Sequence, residues 1–421
     1  MRVLHLNTTD TAGGAARGAY WLHRALRDVG VDSLMMVDRK HSDDDTVLEV
    51  SSGARRFLRA ARARLDRLPL RFYPNTHESY WSVGWFPHKM ERWIRKVKPD
   101  VVHLHWISGG FIPIAELRRL NGPIVWSLRD MWSFTGGCHY AGFCERYRDR
   151  CGACPQLRSR REFDLSRSIF SQKQKQWQGL DLWAVPISHW LADQARASAI
   201  LAYHPMEIIP NGVDIRRFRP ADQRRARKRL GISLDRPIVA FGAVNSTTDK
   251  RKGFSKFRDA VNRLAREGWH EKVDVVVFGN SETPAEAFDP SLNVRFMGQL
   301  DDDNALAAIY SAADVTVVPS IQEAFGKTVI ESFACGTPVV AFQTGGPADI
   351  IDHKHNGYLA RPYDSKSLAD GIEWCLADRA RSAELGRRAR HKAVTEYDIL
   401  RVARRYMSLY QRILRRNHES P

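Results

Sequence analysis

Short apolar runs rich in Val and Ile alternate with longer amphipathic stretches along the chain. The first series predicts strands at Val3–Leu6, Asp32–Val37, Val101–His105, Ile124–Ser127, Leu182–Pro186 and Glu207–Ile209. The second predicts strands at Ile238–Phe241, Val273–Phe278, Val294–Met297, Val315–Val318 and Thr337–Phe342. Runs that are apolar almost throughout suit strands buried on both faces of a parallel sheet, with helices between them. Two such series predict two doubly wound, Rossmann-like α/β domains in tandem. Between the series, Ile209-Pro210-Asn211-Gly212-Val213-Asp214 gathers residues that end a strand and turn the chain. The predicted domains are therefore 1–206 and 207–398. In the last segment, Ile399–Arg416, Val402, Tyr406, Leu409 and Ile413 space as one helical face, expected to pack back onto the first domain.

Composition sharpens this picture. A chain of 421 residues, 43% hydrophobic and 10% aromatic, can bury two cores. No apolar run reaches the roughly 18 residues that span a bilayer. The first residues read as a strand and lack the basic and long apolar regions of a secretory signal. The expected location is the cytoplasm, with peripheral attachment to the inner face of the cytoplasmic membrane left open.

The net charge of +17 favours an anionic partner: phosphate, nucleic acid or an acidic membrane face. Arg55–Arg71 carries seven arginines and one acidic residue, with Phe57, Leu58, Ala61, Leu65 and Leu68 on one helical face. That is the composition of a helix lying on anionic lipid, or of an ordinary solvated helix. A single-strand nucleic-acid binder would interleave aromatics in a basic groove. The basic residues here do not follow that pattern, and no specific nucleic-acid partner is expected.

Ligands of open parallel sheets bind beyond the carboxyl ends of the strands, and the chemically suggestive motifs lie there. The two sheets are expected to face each other across a cleft. After Val315–Val318 comes Glu323-Ala324-Phe325-Gly326-Lys327-Thr328-Val329-Ile330-Glu331. Two carboxylates eight residues apart lie about two turns apart, close to one helix face. Small Ala324 and Gly326 let backbone N–H groups approach a ligand, and a helix N-terminus favours an anion. Carboxylates at two depths suit the vicinal hydroxyls of a sugar and a ribose. In the first half, Gly13-Gly14 follows the first strand and lets the main chain close on phosphate. His105 ends its strand, where an imidazole can donate a hydrogen bond to a ligand, while His103 reads as core.

The Glu323–Glu331 stretch resembles the E-x7-E signature of family 4 glycosyltransferases. Several further stretches are similar to that family: Cys335-Gly336-Thr337-Pro338-Val339-Val340-Ala341, Gly345-Gly346-Pro347-Ala348-Asp349-Ile350-Ile351, Asn356-Gly357-Tyr358-Leu359, and the linker at Ile209–Asp214. The resemblance covers most of residues 205–395. It implies the GT-B fold, two Rossmann-like doubly wound domains facing across a cleft, and transfer of a hexose-type sugar with retention at the anomeric carbon. It implies that Glu331 holds the donor ribose and that Glu323 contacts the transferred sugar, with Phe325, Gly326, Lys327 and Thr328 nearby. Lys252 would neutralise the donor diphosphate, and Gly298 and Leu300, in Met297-Gly298-Gln299-Leu300, would bracket the base. His105 would lie by the sugar and phosphates. The family usually places an Arg after the Gly of the preceding strand; here the pair is Gly242-Ala243. The expected ligand is a UDP- or GDP-sugar donor, and catalysis requires no cofactor. The expected acceptor is a glycan or a polyprenyl-linked oligosaccharide.

Trp126–Tyr140, with Cys144 and Cys151-Gly152-Ala153-Cys154, resembles the colanic-acid-type subgroup that builds bacterial surface polysaccharides. That subgroup commonly has His before its Asp, where this chain has Arg129. Asp130 would accept a proton or hydrogen bond from an acceptor hydroxyl. Four of the six cysteines, Cys138, Cys144, Cys151 and Cys154, run C-x5-C-x6-C-x2-C. Such a set can hold a structural zinc; free thiols and disulfides stay open as alternatives. Asp301-Asp302-Asp303 reads as a helix start rather than a metal motif. Two rival functions remain: a sugar-nucleotide epimerase on the same fold, and a basic nucleic-acid-binding protein.

Overall fold

A computed structural model describes residues 1–50, 56–73, 81–242, 249–279, 288–300 and 302–419. Ala243, Asp301 and Arg55 lie outside the described residues, as do the side chains of Phe57 and Leu58. The chain divides into two compact units: Met1–Pro210 with Val402–Pro421, and Asn211–Arg401.

The first unit contains β1 (Arg2–Thr9), α1 (Gly14–Asp28), β2 (Asp32–Arg39), β3 (Val47–Glu49), α2 (Arg56–Asp66), α3 (Glu91–Val97), β4 (Val101–Leu104), β5 (Ile124–Leu128), α4 (Leu165–Trp177), β6 (Leu182–Pro186) and α5 (His189–Arg196). Its six strands pair in the order β3-β2-β1-β4-β5-β6, all parallel. β4 and β5 are buried along their whole length, as their unbroken apolar runs require.

The second unit contains α6 (Gln223–Leu230), β7 (Ile238–Gly242), α7 (Phe254–Leu264), β8 (Asp274–Phe278), β9 (Asn293–Phe296), α8 (Asp303–Ala312), β10 (Val315–Val318), α9 (Lys327–Ala334), β11 (Val339–Phe342), α10 (Gly345–Ile350), β12 (Gly357–Ala360), α11 (Ser365–Leu376) and α12 (Arg379–Glu396). Its parallel sheet runs β12-β11-β10-β7-β8-β9. Both orders are those of a doubly wound sheet with helical crossovers. Asp222, Asp302, Asp364 and Asp378 cap α6, α8, α11 and α12 through their side chains. Each such cap contributes about 1 kcal/mol. Asp302 thus starts a helix, as the acidic run suggested.

The last helix, α13 (Ile399–Glu419), buries Val402, Tyr406, Leu409, Tyr410 and Ile413. Two of its tyrosines tie it to the first sheet. Tyr410 OH bonds His103 Nδ1 at 2.7 Å, and Tyr406 OH bonds Ser127 Oγ at 2.6 Å.

Three segments differ from the sequence-based expectation. Glu207–Ile209 is not a strand. It runs beside β6 and shares the bonds Glu207 N–H to Ala184 O and Ile209 N–H to Pro186 O. Pro205 and Pro210 flank it, and a proline cannot donate to a ladder. The strands β3 and β12 were not foreseen. Each is three or four residues long and carries a polar or glycine residue, Glu49 or Gly357, in place of an unbroken apolar run.

Candidate functional site

The acidic pair and the lysine come together in the second unit. Lys252 Nζ donates to Glu323 Oε2 at 2.6 Å. This meeting is built by backbone. Lys252 closes a short 3-10 turn, Lys250–Lys252, and Gly253 follows with φ +71°. A Cβ on Gly253 would stand 1.9 Å from Pro319 O, so only glycine lets the turn approach the end of β10. Ile321 N–H then donates to Arg251 O at 2.8 Å, fixing the two loops together. Burial alone would raise the Glu323 carboxyl. The Lys252 ammonium and the Phe325 N–H outweigh it and hold the pKa below the ordinary value.

Glu323 lies in the loop before α9, and Glu331 stands about one turn into that helix, 5% exposed. Tyr310, on α8, donates to its Oε2 at 3.1 Å, and Lys327 Nζ stands 3.4 Å from Oε1. Burial, reinforced by the Glu331 carboxylate, raises the Tyr310 phenol far above its usual pKa. Gly326 begins the helix at φ +100°. Gly345 and Gly346 close the loop from behind: Gly346 N–H donates to Glu323 O at 2.9 Å. A Cβ on Gly346 would fall 2.3 Å from Phe325 Cα. Glu323, Phe325, Gly326, Lys327, Thr328, Glu331 and Lys252 thus form one constellation at the carboxyl end of β10. Gly298 and Leu300 follow β9 in the same unit, where Gly279 N–H donates to Gly298 O at 2.7 Å.

The first-unit residues do not form one comparable set. Gly13 adopts φ +90° at the start of α1, and a Cβ on Gly13 or Gly14 would meet nothing within 4 Å. The turn is open, and the left-handed φ is the one constraint at Gly13. His105 is 2% exposed. Arg129 Nη2 donates to its Nδ1 at 3.2 Å, and its Nε2 meets His5 Nδ1 at 2.8 Å. An acceptor at Nδ1 places the ring proton of His105 on Nε2 and that of His5 on its own Nε2. Burial, then His103 and Arg129, push the His105 pKa well below 6.5, so the ring is neutral. His103 bonds Tyr410 and Ser127 and is core, as expected.

Asp130 is also already engaged. Its Oδ1 accepts from Trp132 N–H at 2.8 Å. Its Oδ2 accepts from His139 Nδ1 at 2.7 Å and Trp106 Nε1 at 3.0 Å. Burial would raise this carboxyl, but His139 and the other donors lower it. His139 continues to Ser82 Oγ at 2.8 Å. Asp130 therefore organises Trp106, Trp132 and His139, and proton acceptance from a ligand would compete with three bonds. The local sequence around Asp130 gave no hint of Ser82, 57 residues before His139. Tyr310, 21 residues before Glu331, is a second partner missed for the same reason.

No disulfide joins the four clustered cysteines, and burial, with a smaller contribution from the other three, disfavours ionisation of Cys138. Among the described residues, the group that gathers three possible ligand atoms within 4.8 Å is His5, His103 and His105, whereas Cys138, Cys144, Cys151 and Cys154, expected as a structural zinc set, do not gather in that way. Arg129 and hydrogen bonds occupy the histidine cluster, so it reads as a polar core. Beside the cysteines, Lys173 is buried and donates to Trp132 O and Thr135 O. Burial lowers its pKa to about 7, opposed by Cys138, Cys151 and Asp130. Among the described residues no helix is long and apolar enough to cross a membrane.

Two parallel Rossmann-like units, one carrying a lysine and an acidic pair beyond a strand end, define the class of nucleotide-sugar enzymes with the GT-B fold. Solved structures share that fold over 98% or 97% of this chain. Sucrose-phosphate synthase from Thermosynechococcus elongatus superposes with a TM-score of 0.70 at 20% identity, covering 99% of that chain. Anabaena HepE, solved with UDP and glucose, gives 0.64 at 18% identity over 99% of its chain. WaaG, a glycosyltransferase involved in lipopolysaccharide biosynthesis, gives 0.64 at 16% identity, also over 99% of its chain. Residues 12–217 match the model described as Glycosyltransferase Family 4, and residues 222–392 match Glycosyl transferases group 1. The chain belongs to these group 1/family 4 glycosyltransferases. A D-inositol 3-phosphate glycosyltransferase of Catenulispora acidiphila is 35% identical over 190 residues, 42% of this chain and 44% of that protein. That of Corynebacterium glutamicum is 27% identical over 321 residues, 71% of this chain and 69% of that one. The chain spans less than half the length of the Catenulispora and Nocardia farcinica relatives it matches.

Proposed function

We propose that this chain is a retaining hexosyltransferase that moves a sugar from a UDP- or GDP-sugar onto a hydroxyl of a glycan or lipid-linked oligosaccharide. The observation that carries the reading is the Lys252–Glu323 contact of 2.6 Å beside a second, buried carboxylate, Glu331. Residues 207–398 bind the donor. Residues 1–206, with the helix at 399–416, serve the acceptor. Lys252 stabilises charge on the departing diphosphate, and the open Gly13-Gly14 turn of the first unit has main-chain N–H groups suited to phosphate. Glu323 and Glu331 bond sugar and ribose hydroxyls, each bond worth about 1.5–3 kcal/mol. His105, expected beside the sugar and phosphates, is instead buried and neutral with both ring nitrogens bonded to Arg129 and His5, so it has neither charge nor an uncommitted ring nitrogen for a ligand. The leaving diphosphate itself assists the incoming hydroxyl, so the reaction needs positioning more than a protein base.

Trp126–Tyr140 and the spacing of the four cysteines favour a surface-polysaccharide acceptor of the colanic-acid type. The names of the curated relatives favour a second acceptor, D-inositol 3-phosphate. Thermal-shift screening against UDP, GDP and their sugars, followed by transfer assays with both acceptor classes, tests the reading. A donor-dependent stabilisation and a product with the donor's anomeric configuration are expected. Donor consumption without any acceptor and with epimerised sugar as product would replace it with the epimerase.

A further inference from the structure

One surface of the first unit is left unexplained by sugar transfer. Four of the eight large hydrophobic side chains that stand exposed among the described residues gather at α2 and the turn after it. They are Leu65 (39% exposed), Leu68 (40%), Phe72 (84%) and Trp85 (42%). Arg64, Arg67 and Arg71 alternate with them and are exposed too. Trp85 belongs to the same patch because its Nε1 donates to Asp66 O at 3.0 Å.

The other face of the segment is fastened down. Arg62 pairs with buried Asp38 and bonds His88 Nε2 at 3.0 Å. Arg59 bonds Asp38 O and Glu49 Oε1, both at 3.1 Å. Asp66, the one carboxylate between residues 56 and 73, is 1% exposed and accepts from the N–H groups of Gly84, Trp85 and Phe86. Asp66 and Asp38 therefore point inward with Arg59 and Arg62, while Arg64, Arg67 and Arg71 stand exposed beside Leu65, Leu68, Phe72 and Trp85. A rigid anchor that holds apolar side chains in water is costly unless something covers them.

We infer that this patch docks the protein on an anionic bilayer surface. Arginines bind lipid phosphate at headgroup depth while Leu65, Leu68, Phe72 and Trp85 enter the acyl boundary. The apolar members decide against nucleic acid, which offers phosphate but no hydrocarbon to receive a protruding leucine. The net charge of +17 draws the whole molecule toward the same surface. The inference does not depend on which sugar is transferred, or on whether any is.

The test is sedimentation of the full chain with vesicles of phosphatidylcholine alone and of phosphatidylcholine with one quarter phosphatidylglycerol, at low and high salt. Two variants accompany it: Leu68→Ser with Phe72→Ser, and Arg64→Gln with Arg67→Gln and Arg71→Gln. Their side chains are exposed, so their thermal transitions should match the parent. Phe72→Ser alone serves if the double variant melts early. Salt-sensitive binding to the anionic vesicles is expected. It should weaken about a hundredfold in the arginine variant and at least about tenfold in the apolar one. Absence of binding, equal binding to neutral vesicles, or undiminished binding by either variant overturns the inference. So does binding to random-sequence DNA without binding to vesicles.

Discussion

At the residue scale, the site is a set of carboxylates held ready by partners the local sequence does not reveal. Tyr310 donates to Glu331 across 21 positions. Tyr310→Phe keeps the ring and removes one buried hydrogen bond, worth about 1 kcal/mol, so nucleotide affinity should fall roughly fivefold in a calorimetric titration. An unchanged affinity would show that Tyr310 packs without orienting the carboxylate. Asp130 illustrates the opposite outcome. Its sequence position suggested a group open to an acceptor. The structure gives it three protein donors, and these define a positioning residue. Asp130→Asn should destabilise the first unit by about 1.5–3 kcal/mol, read as an earlier thermal transition. Affinity of the second unit for nucleotide should be untouched.

At the element scale, glycines decide whether the loops of the second unit can meet. Ala at 346 would put a methyl 2.3 Å from Phe325 Cα, and the contact is with backbone, which cannot step aside. Gly346→Ala should cost about 2–4 kcal/mol and weaken nucleotide binding with it, checked by melting and titration on the same sample. The core of the first unit carries a different constraint. His5, His23, His103 and His105 are all buried with pKa values lowered chiefly by desolvation. A lowered folded pKa means the unfolded chain takes up protons first as pH falls. Stability should therefore drop with acidification starting near pH 6.5. For His23, whose value is about 4, the loss runs from 6.5 to 4 and amounts to about 3 kcal/mol. Melting temperature followed from pH 7.5 to 4.5 should fall steadily; a flat profile would mean the rings are charged or solvated. The same elements show what periodicity can and cannot deliver. Leu182–Pro186 and Val315–Val318 were legible to the residue because each is a short apolar run between breakers. β3 and β12 were not, because Glu49 in one and Gly357 in the other break the short apolar run. Lys173 was illegible too: α4 reads as polar, yet that lysine is fully buried to hold two carbonyls of the turn after Asp130.

At the scale of the whole molecule, two apolar series and one linker predicted two parallel sheets, and both are present. The second unit's site was legible because its residues sit in one stretch, 323–331, plus a lysine before a glycine. The first unit's side was less so, since Ser82, Trp106 and the Asp130–His139 stretch meet from three separate segments. The clustered arginines pointed to an anionic partner, but only the fold showed which apolar side chains stand beside them. The account as a whole rests on the second unit gripping a nucleoside diphosphate with Lys252, Glu323 and Glu331. Isothermal titration of UDP and GDP into the parent chain and into Lys252→Ala and Glu331→Ala tests this directly. One nucleotide should bind the parent with a single stoichiometric site, and each substitution should weaken it by at least about tenfold, the equivalent of 1.4 kcal/mol. A parent chain that binds neither nucleotide, or variants that bind as tightly as the parent, would contradict it.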